Sequence, residues 1–240
     1  MFIDQHLSET VEQMRNQQLK KPDIAIIEAV AITEDGGIIP TTSVGNSASF
    51  AIFAEKVIVE INTNLSPAFE GLHDIYIPSY RPTRQPIPLT EVDQRIGTQA
   101  INIDPSKIVG IVINNEFHDS PSTVTEPDDE TQGIANHLIA FFEKEVAEER
   151  LPKNLGPLQA GIGSIANAVL TGLKDSNFED LIMYSEVLQD CTFELIDAGK
   201  MKFASGSSIT LSAKYGEKVF NNLEAYKDKL VLRPQEISNH

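Results

Sequence analysis

Basic residues are scarce in this chain. Only 19 Lys and Arg stand against 35 Asp and Glu in 240 residues, a formal net charge of −16. That balance argues against nucleic acid and against anionic membrane surfaces as partners. It also suits a highly anionic ligand poorly, unless basic side chains gather around its site. A single cysteine, Cys191, permits no internal disulfide and favours a reducing compartment. A cytoplasmic protein is therefore expected (mitochondrial if the source is eukaryotic). The five histidines are scattered, none spaced like a ligand set, and no Cys/His cluster exists, so no metal is expected. No apolar run reaches membrane-spanning length. The acidic, polar amino terminus reads as neither a secretory signal nor a transit peptide. No solenoid-period repeat and no low-complexity tract is found.

What is present is an ordinary apolar content and enough length for one large or two modest cores. The most informative stretch runs from Leu158 to Asp197. Leu158 to Ala160 are a short apolar lead-in, and Gly161 and Gly163 give a turn whose backbone can take positive φ or approach a ligand closely. Ser164 is the expected N-cap of a helix carrying Ile165, Val169, Leu170 and Leu173 on one side. Leu181 to Met183 form a buried strand that Tyr184, Ser185 and Glu186 end. Ligands of open α/β sheets sit outside the carboxyl ends of the strands, so the glycine turn and Glu186 should face one crevice.

The remaining segments read as follows. Residues 1–20 suggest a polar amphipathic surface helix with Leu7, Val11 and Met14. Ile24 to Ile32 suit a strand buried on both faces, interrupted by Glu28. Asp35, Gly36 and Gly37 turn the chain into a second strand at Ile38, a hairpin. Thr41 to Ser47 form a small-residue loop whose amides at a helix start could hold an anion or a carbonyl oxygen. An ordinary strand-to-helix connection capped by Ser47 explains the same residues. Residues 62–106 are too rich in proline for regular structure. Their Arg81, Arg84 and Arg95 are either solvated or meet an acidic substrate. Lys107 to Asn114 return to a buried strand. The acidic stretch 119–132 has the composition of a linker. A helix follows over 133–150, with Ile134, Leu138, Phe141, Phe142 and Val146 inward. Helix is expected again from Leu188 to Ala198, stopped by Gly199, and over Tyr215 to Leu223. Phe203 to Leu211 read as a turn and a strand, Leu230 to Leu232 as a strand, with no terminal helix after it. Cys191 is read as a core residue. Each half has a glycine-containing loop feeding a helix and then a strand, which suggests two related α/β domains.

Three segments occur together in one order: Gln159–Val169 (QAGIGSIANAV), Tyr184–Asp190 (YSEVLQD) and Ser238–His240 (SNH). With Ser43–Phe50 (SVGNSASF) and Arg95–Asp104 (RIGTQAINID), they resemble the acetyl-CoA hydrolase/transferase family, within it the succinyl-CoA:acetate CoA-transferase type. The similarity covers essentially the whole chain. It implies two related open-sheet α/β domains of the CoA-transferase type, both incomplete here, because family members are about twice this length. Residues 1–118 would be the later part of the first domain, 119–132 the linker, and 133–240 the first part of the second, catalytic domain.

The resemblance further implies exchange of CoA between an acyl-CoA and a free carboxylate, with coenzyme A as substrate, no permanently bound cofactor, and a homodimer. Glu186 would be the nucleophile, passing through an acyl–glutamyl anhydride and a glutamyl-CoA thioester. Ile162 would offer its backbone N–H to an oxyanion, and Asn239 its side-chain amide to the reacting carbonyl. Gly161, Gly163, Gly45 and Asn46 would line the substrate or CoA site. Little or no transferase activity is expected of these 240 residues alone. The competing readings are a hydrolase using the same glutamate, a non-catalytic α/β module in which Glu186 is a helix-start charge, and a sugar-phosphate isomerase of related architecture. The isomerase is disfavoured by the lack of clustered basic residues near the glycine loops.

Overall fold

The computed structural model describes residues 4–115 and 128–239. In chain order the elements are α1 (Glu9–Arg15), β1 (Ile24–Ile32), β2 (Ile38–Pro40), α2 (Ser47–Phe53), β3 (Lys56–Asn62) and β4 (Ile108–Asn114). After the undescribed segment come α3 (Asp129–Ala147), β5 (Pro157–Leu158), α4 (Ser164–Asp175), β6 (Leu181–Tyr184), β7 (Val187–Leu188) and α5 (Asp190–Asp197). The chain continues with β8 (Met201–Gly206), β9 (Ser208–Ile209), α6 (Ala213–Phe220), β10 (Leu230–Leu232) and α7 (Gln235–Ser238).

These elements build an α/β fold around two four-stranded sheets, ordered β2-β1-β3-β4 and β10-β8-β6-β5, with β7 and β9 as a separate pair. All pairings in them are parallel except the β1–β2 hairpin expected from Asp35 to Gly37. Each sheet comes from one side of the acidic stretch, yet a single hydrophobic cluster runs through both, from Ala25 to Leu232. Most of 119–132 lies outside the described residues. Its last residues do not stay linker-like: Asp128 caps α3 by accepting from the Thr131 N–H at 2.8 Å, and Asp129 begins the helix.

Several apolar runs are less buried than their composition suggests. β1 alternates, with Ala25, Ile27 and Ala29 in the core but Ile24 and Ile26 exposed. β4 is an edge strand and exposes Val109, Ile111, Val112 and Ile113. An apolar run reports that a face can be covered, and a single-sided sheet leaves half of it open. In α3 the inward line is Ala135, Ile139, Phe142 and Val146, and Ile134 and Phe141 are exposed. Ile165 of α4 is likewise exposed. The expected Ser47 and Ser164 caps fall one residue late: Asn46 and Gly163 hold the cap positions, neither with a side-chain cap bond. Met201 to Gly206 are a strand, so the expected turn at Phe203 is absent, and α7 adds a helical turn after β10.

Where the halves meet, the contacts are dense. The Thr41–Asn46 loop runs beside β9: Val44 N–H bonds to Ser207 O at 3.0 Å and Ile209 N–H to Thr42 O at 2.8 Å. Asp74 N–H bonds to Leu232 O at 2.9 Å and Leu232 N–H to Leu72 O at 2.9 Å. Arg233, wholly buried, pairs with Asp74, also buried. The same guanidinium donates to Ser205 Oγ at 2.9 Å, Val92 O at 3.1 Å and Gln94 O at 2.6 Å. α1 belongs to this seam and is no surface helix: Val11 and Met14 are buried beside Phe53, and Arg15 forks onto Glu236 at 2.6 and 2.9 Å. Burial works against the Arg15 charge, but Glu236 and Glu12 outweigh it and raise its pKa.

His73 sits in the same seam, fully buried, with its ring bonded to Thr41 O at 3.0 Å. Burial pushes its pKa down to about 4. An unfolded histidine protonates near pH 6.5. Between those values the unfolded chain binds the extra proton, so this residue's contribution is full above about pH 6.5 and is lost as pH falls toward 4. Denaturant melts of native and His73→Gln protein between pH 7 and 4 should show the native chain losing stability more steeply. Parallel curves would refute it.

Candidate active site

The carboxyl ends of β5 and β6 bring the glycine turn and Glu186 together. Leu158 pairs with Met183 in parallel register, and three residues further along each strand stand Gly161 and Glu186. Ser185 secures that alignment, its Oγ donating to Ala160 O at 3.0 Å. Gln189 Nε2 reaches Gly161 O at 3.3 Å. Gly163 has φ 147° and no atom within 4 Å of where a side chain would begin, so freedom of the backbone, rather than crowding, explains a glycine here. Ile162 is 76% exposed between the glycines, an apolar side chain held in the open at the turn.

Glu186 lies between β6 and β7, and the nearest helix begins only at Asp190. It is therefore not a helix-start charge. Its backbone carbonyl accepts from Ser207 N–H at 2.7 Å and Ser208 N–H at 3.2 Å, which fixes the main chain against β9. Each carboxylate oxygen takes one amide donor: Gln235 Nε2 on Oε1 at 2.6 Å and Asn239 Nδ2 on Oε2 at 2.9 Å. Both donors come from the last turn of the chain, four residues apart on α7 and its C-cap, and so share a face. Among the described residues, no Lys, Arg or His forms an ion pair with this carboxylate. The carboxylate is thus half-buried and held on both oxygens by neutral donors.

Asn239 thus bonds Glu186 directly, whereas Gly161 stands at the matching position beyond the neighbouring strand. Of Gly45 and Asn46, only Gly45 meets Glu186, and indirectly. Gly45 has φ 46°, and its carbonyl accepts from Gln235 N–H at 2.8 Å, which seats α7. Asn46 turns away from the site, donating to Leu7 O just ahead of α1 at 3.4 Å. Gln235 is absent from the residues singled out in the sequence. Its signal was the spacing Gln235-x-x-x-Asn239 directly after Pro234, readable only once α7 is known to be helical.

Of the loop arginines, Arg81 and Arg95 are solvent-exposed as expected, and only Arg84 is drawn in, but all three have protein partners. Arg84 bonds Glu12 at 2.9 Å and lies 3.8 Å from Glu236, and Arg95 donates to His73 O at 3.0 Å. Arg81, the more exposed, pairs with Glu12 at 3.0 Å. Asp190 accepts from Ser212 Oγ at 2.5 Å and its N–H at 2.9 Å, a structural role at the start of α6. Cys191 is buried, and that burial pushes its thiol up to about 12, out of nucleophilic range. A cavity of about 730 Å³ opens beside the seam, lined by Thr42, Ser43, Ser208, Thr210, Ser212 and Phe220 among others. Glu186 is not in its wall, so the carboxylate with its two amides, not this cavity, defines the site. Among the described residues no group of three or more His, Cys, Asp and Glu is placed to hold a metal.

The family model of the acetyl-CoA hydrolase/transferase N-terminal domain matches residues 1–113. Across the full chain, 47% of residues are identical to an acetyl-CoA hydrolase of Schizosaccharomyces pombe. The chain belongs to the acetyl-CoA hydrolase/transferase family. Identity to a succinyl-CoA:acetate CoA-transferase of Clostridium kluyveri is 46%, again over all of the chain. The chain spans somewhat less than half the length of these relatives, 47% and 44% respectively. Among solved structures, a 4-hydroxybutyrate CoA-transferase from Porphyromonas gingivalis superposes with a TM-score of 0.65 at 20% identity, over 99% of this chain and 51% of that one. RipA from Yersinia pestis gives 0.65 at 16% identity, over 99% and 46%. The fold is that of the CoA-transferases.

For this family member a sharp test of Asn239 is available. An oxyanion-donor role for Asn239 predicts that Asn239→Ala in the full-length protein lowers any CoA-transfer rate by roughly two to three powers of ten, the scale of one lost donor. An unchanged turnover number would remove Asn239 from the chemistry.

Proposed function

We propose that the full-length protein is a CoA-transferase moving CoA between acetyl- or succinyl-CoA and a free carboxylate, with Glu186 as nucleophile. The observation that carries the proposal is the Glu186 carboxylate itself, at a strand end beside a glycine turn, with each oxygen on a neutral amide donor. One oxygen attacks the thioester carbonyl; the C–O bond forms, the C–S bond breaks, and CoA thiolate leaves. The thiolate then attacks Glu186 Cδ, giving the glutamyl-CoA thioester and releasing the first carboxylate. A second carboxylate reverses both steps. Division into two acyl transfers preserves the thioester energy as long as water is kept out. The Ile162 N–H in the open turn and the Asn239 amide are the proposed donors to the oxyanions. Residues 1–118 and 133–240 are proposed to be parts of two related domains joined by 119–132, and the assembled enzyme to be a cytoplasmic homodimer.

The test is the intact mass of the full-length enzyme after incubation with an acyl-CoA, followed by peptide mapping. A CoA-sized adduct on the peptide bearing Glu186 supports the proposal; its absence from folded enzyme sinks the mechanism. Hydrolysis is the second reading, favoured by the high identity to proteins named acetyl-CoA hydrolase. Consumption of acetyl-CoA by a transferase should depend on an added carboxylate such as succinate and yield that carboxylate's CoA thioester, whereas a hydrolase releases free CoA in buffer alone.

A further inference from the structure

Gln235 is more tightly constrained than a chance neighbour of Glu186. Its Oε1 accepts from Ser207 Oγ at 3.2 Å, so its amide orientation is fixed and Nε2 faces Glu186 Oε1. Ser207 is itself buried and bonds the Glu186 carbonyl through its N–H, closing a loop of Glu186, Ser207 and Gln235. The Gln235 N–H is held by Gly45 O from the other half of the chain. Nothing in this arrangement can swing away without breaking a buried bond. The two oxygens of Glu186 are therefore inequivalent: one belongs to Asn239, the other to Gln235.

We infer that Gln235 is the donor for the carboxylate half of the reaction, holding Glu186 Oε1 for attack and then following that oxygen into the departing carboxylate. This rests on the proposed nucleophilic role of Glu186. With Oε2 on Asn239 as the carbonyl oxygen, Oε1 is the attacking atom. Its electron pair forms the new C–O bond, the C–S bond breaks, and thiolate carries the charge away. When thiolate attacks Cδ, the S–C bond forms and the Cδ–Oε1 bond breaks. Oε1 departs inside the free carboxylate with the negative charge on it, and no proton moves. The Gln235 N–H, on Oε1 throughout, meets the charge where it lands. In reverse it receives the oxygen of the incoming carboxylate.

The test uses full-length enzyme and acetate as the probe, following discharge of a preformed enzyme–CoA adduct by rapid quench and mass analysis. Gln235→Leu should still form the adduct on Glu186 but discharge it to acetate about ten- to a hundredfold more slowly, the scale of a hydrogen bond to a charged group. Gln235→Glu has nearly the native shape and carries the test if the leucine variant does not fold. Its carboxyl is a donor only while protonated, and a carboxylate beside it repels the substrate. Discharge should therefore fall with rising pH where the native rate does not, a signature that a purely structural glutamine would not give. Discharge of the Gln235→Leu adduct within twofold of native, or a Gln235→Glu profile parallel to native, overturns the inference and leaves the nucleophile standing. An adduct that persists in Glu186→Ala removes the nucleophile, and this inference with it.

Discussion

Replacement of Glu186 by alanine in the full-length enzyme is expected to abolish both CoA exchange and the enzyme-bound CoA adduct. Loss of a covalent nucleophile costs on the order of 10⁴ to 10⁶ in turnover, more than the loss of any donor around it. Glu186→Gln keeps the size of the side chain and separates chemistry from packing. Its neutral amide cannot attack a thioester, and its NH₂ group confronts at least one of the two amide donors that now serve the carboxylate. Both variants should fold, since Glu186 is only half-buried and its backbone bonds to Ser207 and Ser208 need no side chain. Circular dichroism and a thermal melt check folding, and mass analysis after acyl-CoA treatment checks chemistry. An adduct retained by both variants would place the nucleophile elsewhere.

The second large effect is on stability. Arg233→Met should destabilise the protein by roughly 3–5 kcal/mol, because it strands the buried Asp74 charge. Asp74 would keep only the N–H groups of Ile96 and Gly97, at 2.9 and 2.7 Å. Burial already draws the Arg233 guanidinium below its ordinary pKa, so the pair is held against its own desolvation cost. The double variant Arg233→Met/Asp74→Asn should recover part of the loss, because it removes the stranded charge. Urea midpoints of the full-length proteins measure both. A single variant within 1 kcal/mol of native would show that the pair carries little of the seam.

Much of the site was legible in the sequence because its signals are local. A glycine turn, a helix, a strand and then a glutamate lie within about thirty residues, and parallel register fixes where the pieces meet. The resemblance supplied Asn239. Gln235 escaped because its meaning depends on α7, a four-residue helix too short for any periodicity to announce. The buried role of α1 escaped for a different reason. Val11 and Met14 reveal an apolar side, but not that Arg15 beside them would be matched by Glu236, 221 residues away. The exposed faces of β1 and β4 show the same limit, since an apolar run cannot say whether another element lies over it. The burial of Arg84 is not legible for the same reason, since its partner Glu12 lies on another element.

The seam between the two sheets bears on how such a protein can change over generations. The donors to Glu186 sit on a helical turn whose position is set by Gly45, Arg15 and Arg84, all contributed by the opposite half. Inherited variation at these distant positions is thus variation in the geometry around Glu186, even though none of their side chains bonds that carboxylate. Chimeras that join one parent's first half to another's second half, with the crossover inside the acidic stretch 119–132, should work only when both parents agree along this boundary. A crossover within either half keeps the matched partners no better unless it respects the same pairs. The natural unit of exchange is then neither sheet alone but the two together.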